Sequence, residues 1–357
     1  MSGMWGNKLK VSIFGESHGV GIGITIDGLP SGFEINMNEI LKEMARRAPG
    51  KSKLSTARRE TDSPEILSGY FEGKTTGTPL CAIIRNGDQH SKDYGKLKDL
   101  MRPGHADYPG NIRYNGFNDY RGGGHFSGRI TAPLVFAGAI CKQILESHGI
   151  FIGSHVKSIG EVEDKSFSEV ELTKELLDNL KTKELPLLFS DKEALMRETV
   201  LKAKTDLDSV GGTIECTVIG MNPGIGNPFF DSVESTLAHL MFSVPAVKGI
   251  EFGKGFEMTK FRGSDCNDEY YYDGDKVKTY TNNNGGITGG ITNGMPILFK
   301  VGIKPTASIA KKQRTINIDE KKDAELEIHG RHDPCIVQRA VPVIEAATAI
   351  GILDLIL

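Results

Sequence analysis

The fold of this 357-residue chain depends on the stretch APLVFAGAICKQILESHG (132–149). Its nearly unbroken apolar run predicts a helix that is buried in the core. Pro133 suits a first helical turn, and Gly149 suits the position just after a helix end. A second apolar stretch, PCIVQRAVPVIEAATAIGILDLIL (334–357), predicts another long helix, opened by Asp333-Pro334.

Four shorter runs are typical of β-strands. They concentrate apolar and β-branched residues between polar or glycine-rich turns, and they cover residues 9–14, 20–26, 211–220 and 297–303. Short strands, glycine-rich turns and long apolar helices follow one another along the chain. This order predicts a mixed α/β fold. The length allows one large domain or two intimate halves, and we expect a single domain, 1–357.

Capping signals predict two further helices. Asn36 and Glu39 have capping-box spacing before one of them, and Asp231 and Glu234 have the same spacing before the other. Residues 161–208 differ from the rest, because they are rich in Glu, Lys and Leu at helical spacing and contain few glycines. We expect this segment, 161–208, to form a peripheral, charged, helical insertion.

Composition argues against several classes of protein. Hydrophobic residues make up 38% of the chain and charged residues 25%, which is typical of a globular protein. The net charge of −3 gives no overall attraction to nucleic acid or to an anionic membrane. The apolar run 132–141 is too short to span a bilayer. The five cysteines form no CxxC pair and follow no signal-peptide pattern, so we expect free thiols, no metal site and a cytoplasmic location.

The segment GESHG (15–19) places Ser17 and His18 at the end of the first predicted strand. Histidine exchanges a proton near neutral pH, so His18 is a candidate acid or base. A hydrogen-bonded turn histidine is the alternative interpretation, and a single histidine does not decide between the two.

A basic run follows the first predicted helix, with no acidic residue before Glu60. It consists of Arg46, Arg47, Lys51, Lys53, Arg58 and Arg59. Cations at a helix C-terminus are one explanation, but so many in one segment repel each other unless an anion lies among them. Arginine matches phosphate and carboxylate groups in two-pronged geometry. A small polyanionic substrate is favoured over nucleic acid, because the chain shows no broad basic surface.

The segment RPGHADYPGNIRYNGFNDYRGGGHFSGR (102–129) is the main candidate for an active-site loop. It combines arginines, histidines and aspartates with seven glycines, and a core could not bury so many polar groups without partners. The glycines 122–124 expose backbone N–H groups that suit a phosphate or a flat cofactor ring. A long, flexible surface loop is the alternative.

Three shorter segments carry weaker signals. GRHDPC (330–335) is either a helix cap at Asp333 or an anion site that can also move a proton. NGGITGG (284–290) would let the backbone approach a ligand closely. KPTAS (304–308) offers one cation and two hydroxyl groups.

All these segments occur together, and in this order, in one family. GESHG, RRAPGKSK, RPGHADY, DYRGGGHFSGR, GGITGG, KPTASI and GRHDPC resemble the motifs of the chorismate synthases over nearly the whole chain. The resemblance implies an α/β (α+β) fold of the β-α-β sandwich type, with long central helices packed between antiparallel sheets. It also implies the 1,4-elimination of phosphate from 5-enolpyruvylshikimate 3-phosphate to give chorismate, the last common step of the shikimate pathway. That reaction uses reduced FMN (FMNH2) without net redox change.

The resemblance implies a role for each matching residue. His18 would protonate the departing phosphate, and His105 would hold the proton balance of the reduced flavin. Asp333, with Ser17 as a relay, would recover the proton. The implied substrate-binding residues are Arg46, Arg47, Lys53 and Arg129. The implied cofactor-binding residues are His125, Phe126, Ser127, Pro245, Ala246, Gly289, Lys304, Pro305, Thr306, Ala307, Ser308 and Arg331.

The chain departs from the commonest residues of the family at several of these positions. His125-Phe126 stands where Arg-Ser is common, Lys53 where Arg is common, and Pro245 where Asn is common. We expect backbone contacts rather than side-chain contacts to persist at 125, 126 and 245.

The resemblance also implies an oligomeric state and a source of reduced flavin. It predicts a homotetramer whose flavin is reduced by an external reductant, since no flavin-reductase domain is apparent. Two competing functions remain at this point: a flavin-dependent oxidoreductase with net redox turnover, and an RNA-binding protein that uses the basic run. No membrane partner is expected.

Overall fold

The computed structural model describes residues 3–50, 62–87, 98–328 and 332–357, and within them it contains two five-stranded antiparallel sheets. The strands of the first sheet are β1 (Met4–Trp5), β2 (Lys10–Gly15), β3 (Gly21–Asp27), β4 (Pro64–Ser68) and β7 (Leu80–Arg85). The strands of the second sheet are β8 (Phe151–Ile159), β9 (Val162–Glu163), β10 (Gly212–Ile219), β11 (Val247–Phe252) and β16 (Ile297–Ile303). Their orders are β1-β2-β3-β7-β4 and β11-β16-β10-β8-β9.

Four small hairpins and eight α-helices complete the described chain. The hairpin strands are β5 (Tyr70–Phe71) with β6 (Lys74–Thr75), β12 (Tyr270–Asp273) with β13 (Lys276–Thr279), β14 (Ile287–Thr288) with β15 (Ile291–Thr292), and β17 (Gln313–Asn317) with β18 (Lys322–Leu326). The helices are α1 (Met37–Arg47), α2 (Asp107–Arg113), α3 (Thr131–Ser147), α4 (Lys174–Thr182), α5 (Glu193–Thr205), α6 (Val233–Ser243), α7 (Gly263–Cys266) and α8 (Val337–Ile356).

The two long apolar helices form the middle layer of the fold. α3 packs on α8, contacts β3 and β7 of the first sheet, and also contacts β8 of the second; α8 contacts β8 and β10. By length and composition Gly128–Ser147 could cross a membrane, but 83% of its most apolar window is buried inside the protein. One continuous cluster of buried apolar side chains joins both sheets with these helices. The expected β-α-β sandwich and all four predicted strands are therefore confirmed.

The structure confirms one of the two predicted helix caps and corrects the other. Asn36 caps α1, since its side chain accepts hydrogen bonds from the backbone N–H groups of Asn38 and Glu39. The cap of α6 is Ser232 rather than the predicted Asp231, because the Ser232 hydroxyl accepts from the backbone of Ser235. The box at Asp231 was wrong by one residue.

The last helix begins later than the sequence indicated. α8 starts at Val337, with Ile336 before it, so the predicted cap at Asp333 and first-turn position of Pro334 were wrong. Asp333 instead forms an ion pair with Arg339 of α8. A carboxylate drawn to a nearby guanidinium does not remain available to cap the backbone.

A buried charge cluster ties the middle layer together. Glu345 of α8 is fully buried and accepts from both terminal nitrogens of Arg46, at 2.7 and 3.0 Å. It also pairs with Lys142 of α3 and accepts from the backbone N–H of Ser154 in β8. Burial disfavours the charged form, but Arg46 and Lys142 outweigh it and lower the pKa of Glu345. One carboxylate thus links three elements to α8.

The segment 161–208 contains the helices α4 and α5, in agreement with its helical pattern. Phe167, Leu177 and Leu180 form a small apolar cluster with Leu298 of β16. Met196 and Val200 of α5 belong instead to the main apolar core. The segment is therefore packed against the rest of the fold through buried apolar side chains.

His155 of β8 contacts two carboxylates, Asp164 of this segment and Glu215 of β10. Its Nε2 lies 2.9 Å from Glu215 and its Nδ1 lies 3.3 Å from Asp164, with all three side chains buried. Carboxylates only accept hydrogen bonds, so only an imidazolium presents a proton to both. Burial opposes the charged form, but the two carboxylates outweigh it and raise the pKa of His155.

A pH-dependent stability follows from this arrangement. A raised histidine pKa gives stability that is complete below the unfolded-state value of about 6.5 and is lost as the pH rises through the folded-state value. We expect the Tm difference between wild type and His155→Gln to be largest in mildly acidic solution and to shrink on the alkaline side. Thermal unfolding across a pH series checks this. A Tm difference between wild type and His155→Gln that stays constant with pH would show that His155 is not charged.

Candidate active site

Three consecutive glycines form one wall of the site. Gly122, Gly123 and Gly124 have φ values of 59, 83 and 54°, in the left-handed region that favours glycine. A Cβ on Gly122 would lie 2.1 Å from Cε1 of His18, and one on Gly123 would lie 3.2 Å from Cε1 of His105. The glycine turn, residues 122–124, therefore brings the two histidines from separate parts of the chain to adjacent positions.

Ser17 sets the orientation of His18. The Ser17 hydroxyl lies 3.2 Å from the backbone carbonyls of Arg121 and Gly122, which can only accept, and 3.0 Å from Nδ1 of His18. The single hydroxyl proton goes to a carbonyl, so the oxygen accepts a proton-bearing Nδ1. Nε2 of His18 is then the candidate nitrogen for proton exchange. Both side chains are buried.

His105 is held by a carboxylate in the same way. Its Nδ1 donates to Asp107 at 2.6 Å, and Asp107 also accepts from Nε and a terminal nitrogen of Arg102, at 2.6 and 2.7 Å. Burial raises the pKa of Asp107, but the hydrogen bonds from Arg102 and His105 outweigh it and lower that pKa. Asp107 is therefore ionised and leaves Nε2 of His105 for proton exchange.

Arg102 connects this pair to the KPTAS loop, residues 304–308. Its remaining terminal nitrogen donates to the Ser308 hydroxyl at 3.3 Å. Lys304 donates through Nζ to the carbonyl of Gly104 and through its backbone to the carbonyl of Ala246. The loop predicted to hold the cofactor thus lies beside His105, and Ala246, with a φ of 73°, lies at its base. Pro245 precedes Ala246 directly, and Pro305 and Ala307 lie within the loop.

Arg47 and Arg129 meet at a third part of the site. Both form ion pairs with Asp62, and all three are almost fully buried. Arg47 also donates to the carbonyl of Arg129, at 3.3 Å, and Arg129 donates through Nε to Asn86, at 3.1 Å. Burial raises the pKa of Asp62, but the two arginines outweigh it and lower that pKa. Asn86 in turn donates to the carbonyls of Glu16 and Gly19, which links this part to His18.

The residues after the glycine turn have structural partners of their own. His125 lies 2.8 Å through Nδ1 from the carbonyl of Gly15, at the end of β2. The ring of Phe126 lies so close to Gly110 that a Cβ there would come within 2.6 Å of it. Ser127 accepts from the backbone of Arg129. These side chains fix the shape of the turn.

The remaining predicted residues are placed differently. Asp333 lies near Arg47, since Arg339 pairs with Asp333 and donates through Nε to the Arg47 carbonyl at 3.1 Å. Gly289 has a φ of 61° and open space at its Cβ position. Arg46 is not brought to the site, because its side chain is held in the Glu345 cluster of the middle layer. Lys53 and Arg331 lie outside the described residues.

Sequence reasoning missed three partners in the site: Asp62, Asp107 and Arg339. Asp107 lies two residues after His105, a spacing that could have suggested an orienting carboxylate. Nothing local marks Asp62, or the contact of Arg339 with the carbonyl of Arg47, which is distant in the chain. In the part of the chain that the structure describes, no group of three or more His, Cys, Asp or Glu could hold a metal ion.

The Gly122 position can be tested directly. Gly122→Ala would place a methyl group 2.1 Å from His18 and 2.7 Å from the Ser17 hydroxyl, so His18 must move. We expect kcat to fall by about 10²-fold or more, which is the lower end of what general acid–base catalysis contributes. Gly32→Ala is the matched control, because Gly32 also has a positive φ, 78°, but has no atom within 4 Å of the new methyl group. Equal kcat in both variants would exclude this packing role.

Comparison with known proteins points to one family. A sequence profile described as chorismate synthase matches residues 9–357. The chorismate synthase of Pyrococcus abyssi is 47% identical over 353 residues, covering 98% of this chain and 96% of that protein. The chorismate synthase of Christiangramia forsetii is 46% identical, with the same coverage of 98% and 96%. A crystal structure of chorismate synthase matches with a TM-score of 0.78 at 31% identity, covering 98% of this chain and 92% of that chain.

Proposed function

This chain belongs to the chorismate synthase family, and we propose that it eliminates phosphate from 5-enolpyruvylshikimate 3-phosphate to give chorismate. The observation that carries the proposal is the meeting of His18 and His105 at successive glycines of one turn. Two imidazoles with defined proton-exchanging nitrogens suit a reaction that must give a proton to one group and manage a proton on another.

Arg47 and Arg129 are the proposed anchors for the substrate, which carries one phosphate and two carboxylates. Asp62 holds both guanidinium groups in place through buried ion pairs. Fixed, buried arginines bind anions in two-pronged geometry without losing side-chain freedom on binding. Lys53 remains a further predicted anchor.

Reduced FMN is the proposed cofactor. The Thr306 hydroxyl oxygen is enclosed and has no hydrogen-bond partner among the described residues, beside the Ser308 hydroxyl and the Lys304 cation. Such an unsatisfied polar atom, in a loop that also carries a lysine, fits a flat polar ring. When bound, reduced flavin supplies an electron-rich ring that can lend charge and accept hydrogen without net oxidation.

The hydrogen bonds support the proton-handling roles that we propose. Nε2 of His18 is the proposed donor to the departing phosphate, and Ser17 orients it through Nδ1. Nε2 of His105 is the proposed proton partner of the cofactor, and the ionised Asp107 orients it. Asp333 is the proposed final proton acceptor, with Arg339 holding its position. Arg331 and the loops at 125–127, 245–246 and 289 are further proposed cofactor contacts.

Anaerobic phosphate release tests this function. The purified protein is given the shikimate ester with and without reduced FMN, and phosphate and chorismate are measured together. We expect release only with reduced FMN, without consumption of reductant. Reductant consumed mole for mole with phosphate would instead indicate a flavin oxidoreductase. Tight, salt-sensitive RNA binding without phosphate release would indicate the nucleic-acid function.

We propose a homotetramer in the cytoplasm whose flavin is reduced by an external reductant. Light scattering measures the oligomeric state. Anaerobic incubation with FMN and NADPH, followed by flavin absorbance, shows whether the protein reduces its own cofactor.

A further inference from the structure

His332 lies beside the KPTAS loop, residues 304–308, and has no part in the proposed mechanism. The backbone N–H of Val210 donates to the carbonyl of Pro334 at 2.9 Å, and the hydroxyl of Ser209 donates to the carbonyl of Thr306 at 2.7 Å. The segments that carry His332 and Thr306 are therefore both attached to residues 209–210. They lie side by side.

Arg102 adds a second connection between these segments. It donates to Ser308, and its charge also acts on His332. Burial and the charge of Arg102 together lower the pKa of His332. The charge of Asp333 raises it by a smaller amount. His332 is therefore neutral at physiological pH, with one donor and one acceptor nitrogen.

Nε2 of His332 is enclosed but has no hydrogen-bond partner in the described part of the chain. The Thr306 hydroxyl in the adjoining loop is also enclosed and also has no hydrogen-bond partner among the described residues. Buried polar atoms of this kind normally have partners, so two of them in adjoining loops indicate a missing ligand with polar atoms along one edge.

The charges indicate what kind of ligand this is. The positive charge of Arg102 is already compensated by Asp107, and Nζ of Lys304 donates to the carbonyl of Gly104. The two atoms without partners, an imidazole nitrogen and a hydroxyl oxygen, are themselves neutral. The edge of a heterocyclic ring, with alternating N–H and C=O groups, matches a neutral donor and acceptor pair. The substrate anchors Arg47 and Arg129, by contrast, are cations held on Asp62.

We propose that His332 is a further cofactor-binding residue, whose Nε2 hydrogen-bonds a polar atom of the flavin ring beside Thr306. The proposal rests on the cofactor assigned under the proposed function. It extends the cofactor site to the histidine of the GRHDPC segment, to which the resemblance assigned no role.

Binding of oxidised FMN to the purified full-length protein, followed by quenching of flavin fluorescence, tests the proposal without turnover. We expect His332→Phe to raise the Kd for FMN by about tenfold, as expected for one lost hydrogen bond between neutral groups. His332→Asn, which keeps a donor and an acceptor, should bind FMN more tightly than His332→Phe. Thr306→Val should weaken binding in the same direction. His148→Phe is the matched control, because His148 is an exposed histidine at the end of α3.

Three results would overturn the proposal. An unchanged Kd in folded His332→Phe and His332→Asn would exclude the contact. A raised KM for the shikimate ester with an unchanged Kd for FMN would assign His332 to the substrate instead. Wild-type protein that binds no FMN would remove the cofactor itself, and this outcome is distinct because it does not depend on any variant. If His332→Phe fails to fold, the Kd values for FMN of His332→Asn and Thr306→Val test the proposal.

Discussion

Replacing His18 with alanine is expected to lower kcat by about 10²–10⁴-fold, the range of general acid–base catalysis. The Kd for FMN and the Tm should remain near the wild-type values, because Ser17 keeps its hydrogen bonds to the carbonyls of Arg121 and Gly122 when the imidazole is removed. Rapid-quench measurement of phosphate release, together with a flavin titration, separates the two effects. His105→Ala should show a loss of similar kind.

Ser17→Ala is the informative companion of this variant. It keeps the imidazole but removes the hydroxyl that accepts from Nδ1, so either nitrogen of His18 can then carry the proton. We expect a smaller loss of kcat than in His18→Ala and a changed pH profile. Near-wild-type turnover in His18→Ala would remove this residue from the mechanism, whatever Ser17→Ala shows.

Replacing Glu345 with glutamine is expected to lower the free energy of unfolding by about 3–5 kcal/mol, since it leaves the buried cations Arg46 and Lys142 with too little negative charge. Denaturant unfolding monitored by circular dichroism measures the change. The lowered pKa of Glu345 adds a pH dependence: its stabilisation is present above the unfolded-state pKa and is lost as the pH falls through the folded-state value.

An exposed ion pair provides the control for Glu345. Glu193 pairs with Arg197 at 2.8 Å on the half-exposed surface of α5, and Glu193→Gln should change stability by less than about 1 kcal/mol. The double variant Lys142→Met with Glu345→Gln restores charge balance and should recover part of the loss. Equal effects at positions 345 and 193 would contradict the importance assigned to burial.

Some elements of the fold could be predicted because their signals are local. The apolar runs behind α3 and α8 need burial wherever they occur, and the run at 297–303 coincides with β16. Capping was less predictable, because neighbouring residues compete for the same backbone groups. Ser232 took the place expected of Asp231, and Asp333 was drawn to Arg339.

The partners of Arg46 and Arg47 could not be predicted from the sequence either. Arg46 and Arg47 are neighbours with one composition signal, yet they lie on different faces of α1. Arg46 faces Glu345 in the middle layer, whereas Arg47 faces Asp62 and the carbonyl of Arg129. Helical geometry separates adjacent residues by about 100°, and only the positions of the distant carboxylates decide which one reaches the site.

The sequence alone determined the chemical content of the site: the glycine turn 122–124, the histidines at 18 and 105, and the cations that suit a phosphorylated acid. It also determined the class of fold, because long apolar helices can be stable only when they are enclosed. The tertiary structure decided which groups meet, since the pairing of Arg47 and Arg129 with Asp62, the approach of His18 and His105 to one glycine turn and the position of His332 beside Thr306 depend on distances between remote segments. Hydrogen bonds and ion pairs act over a few ångströms, and the order of residues along the chain does not specify those distances.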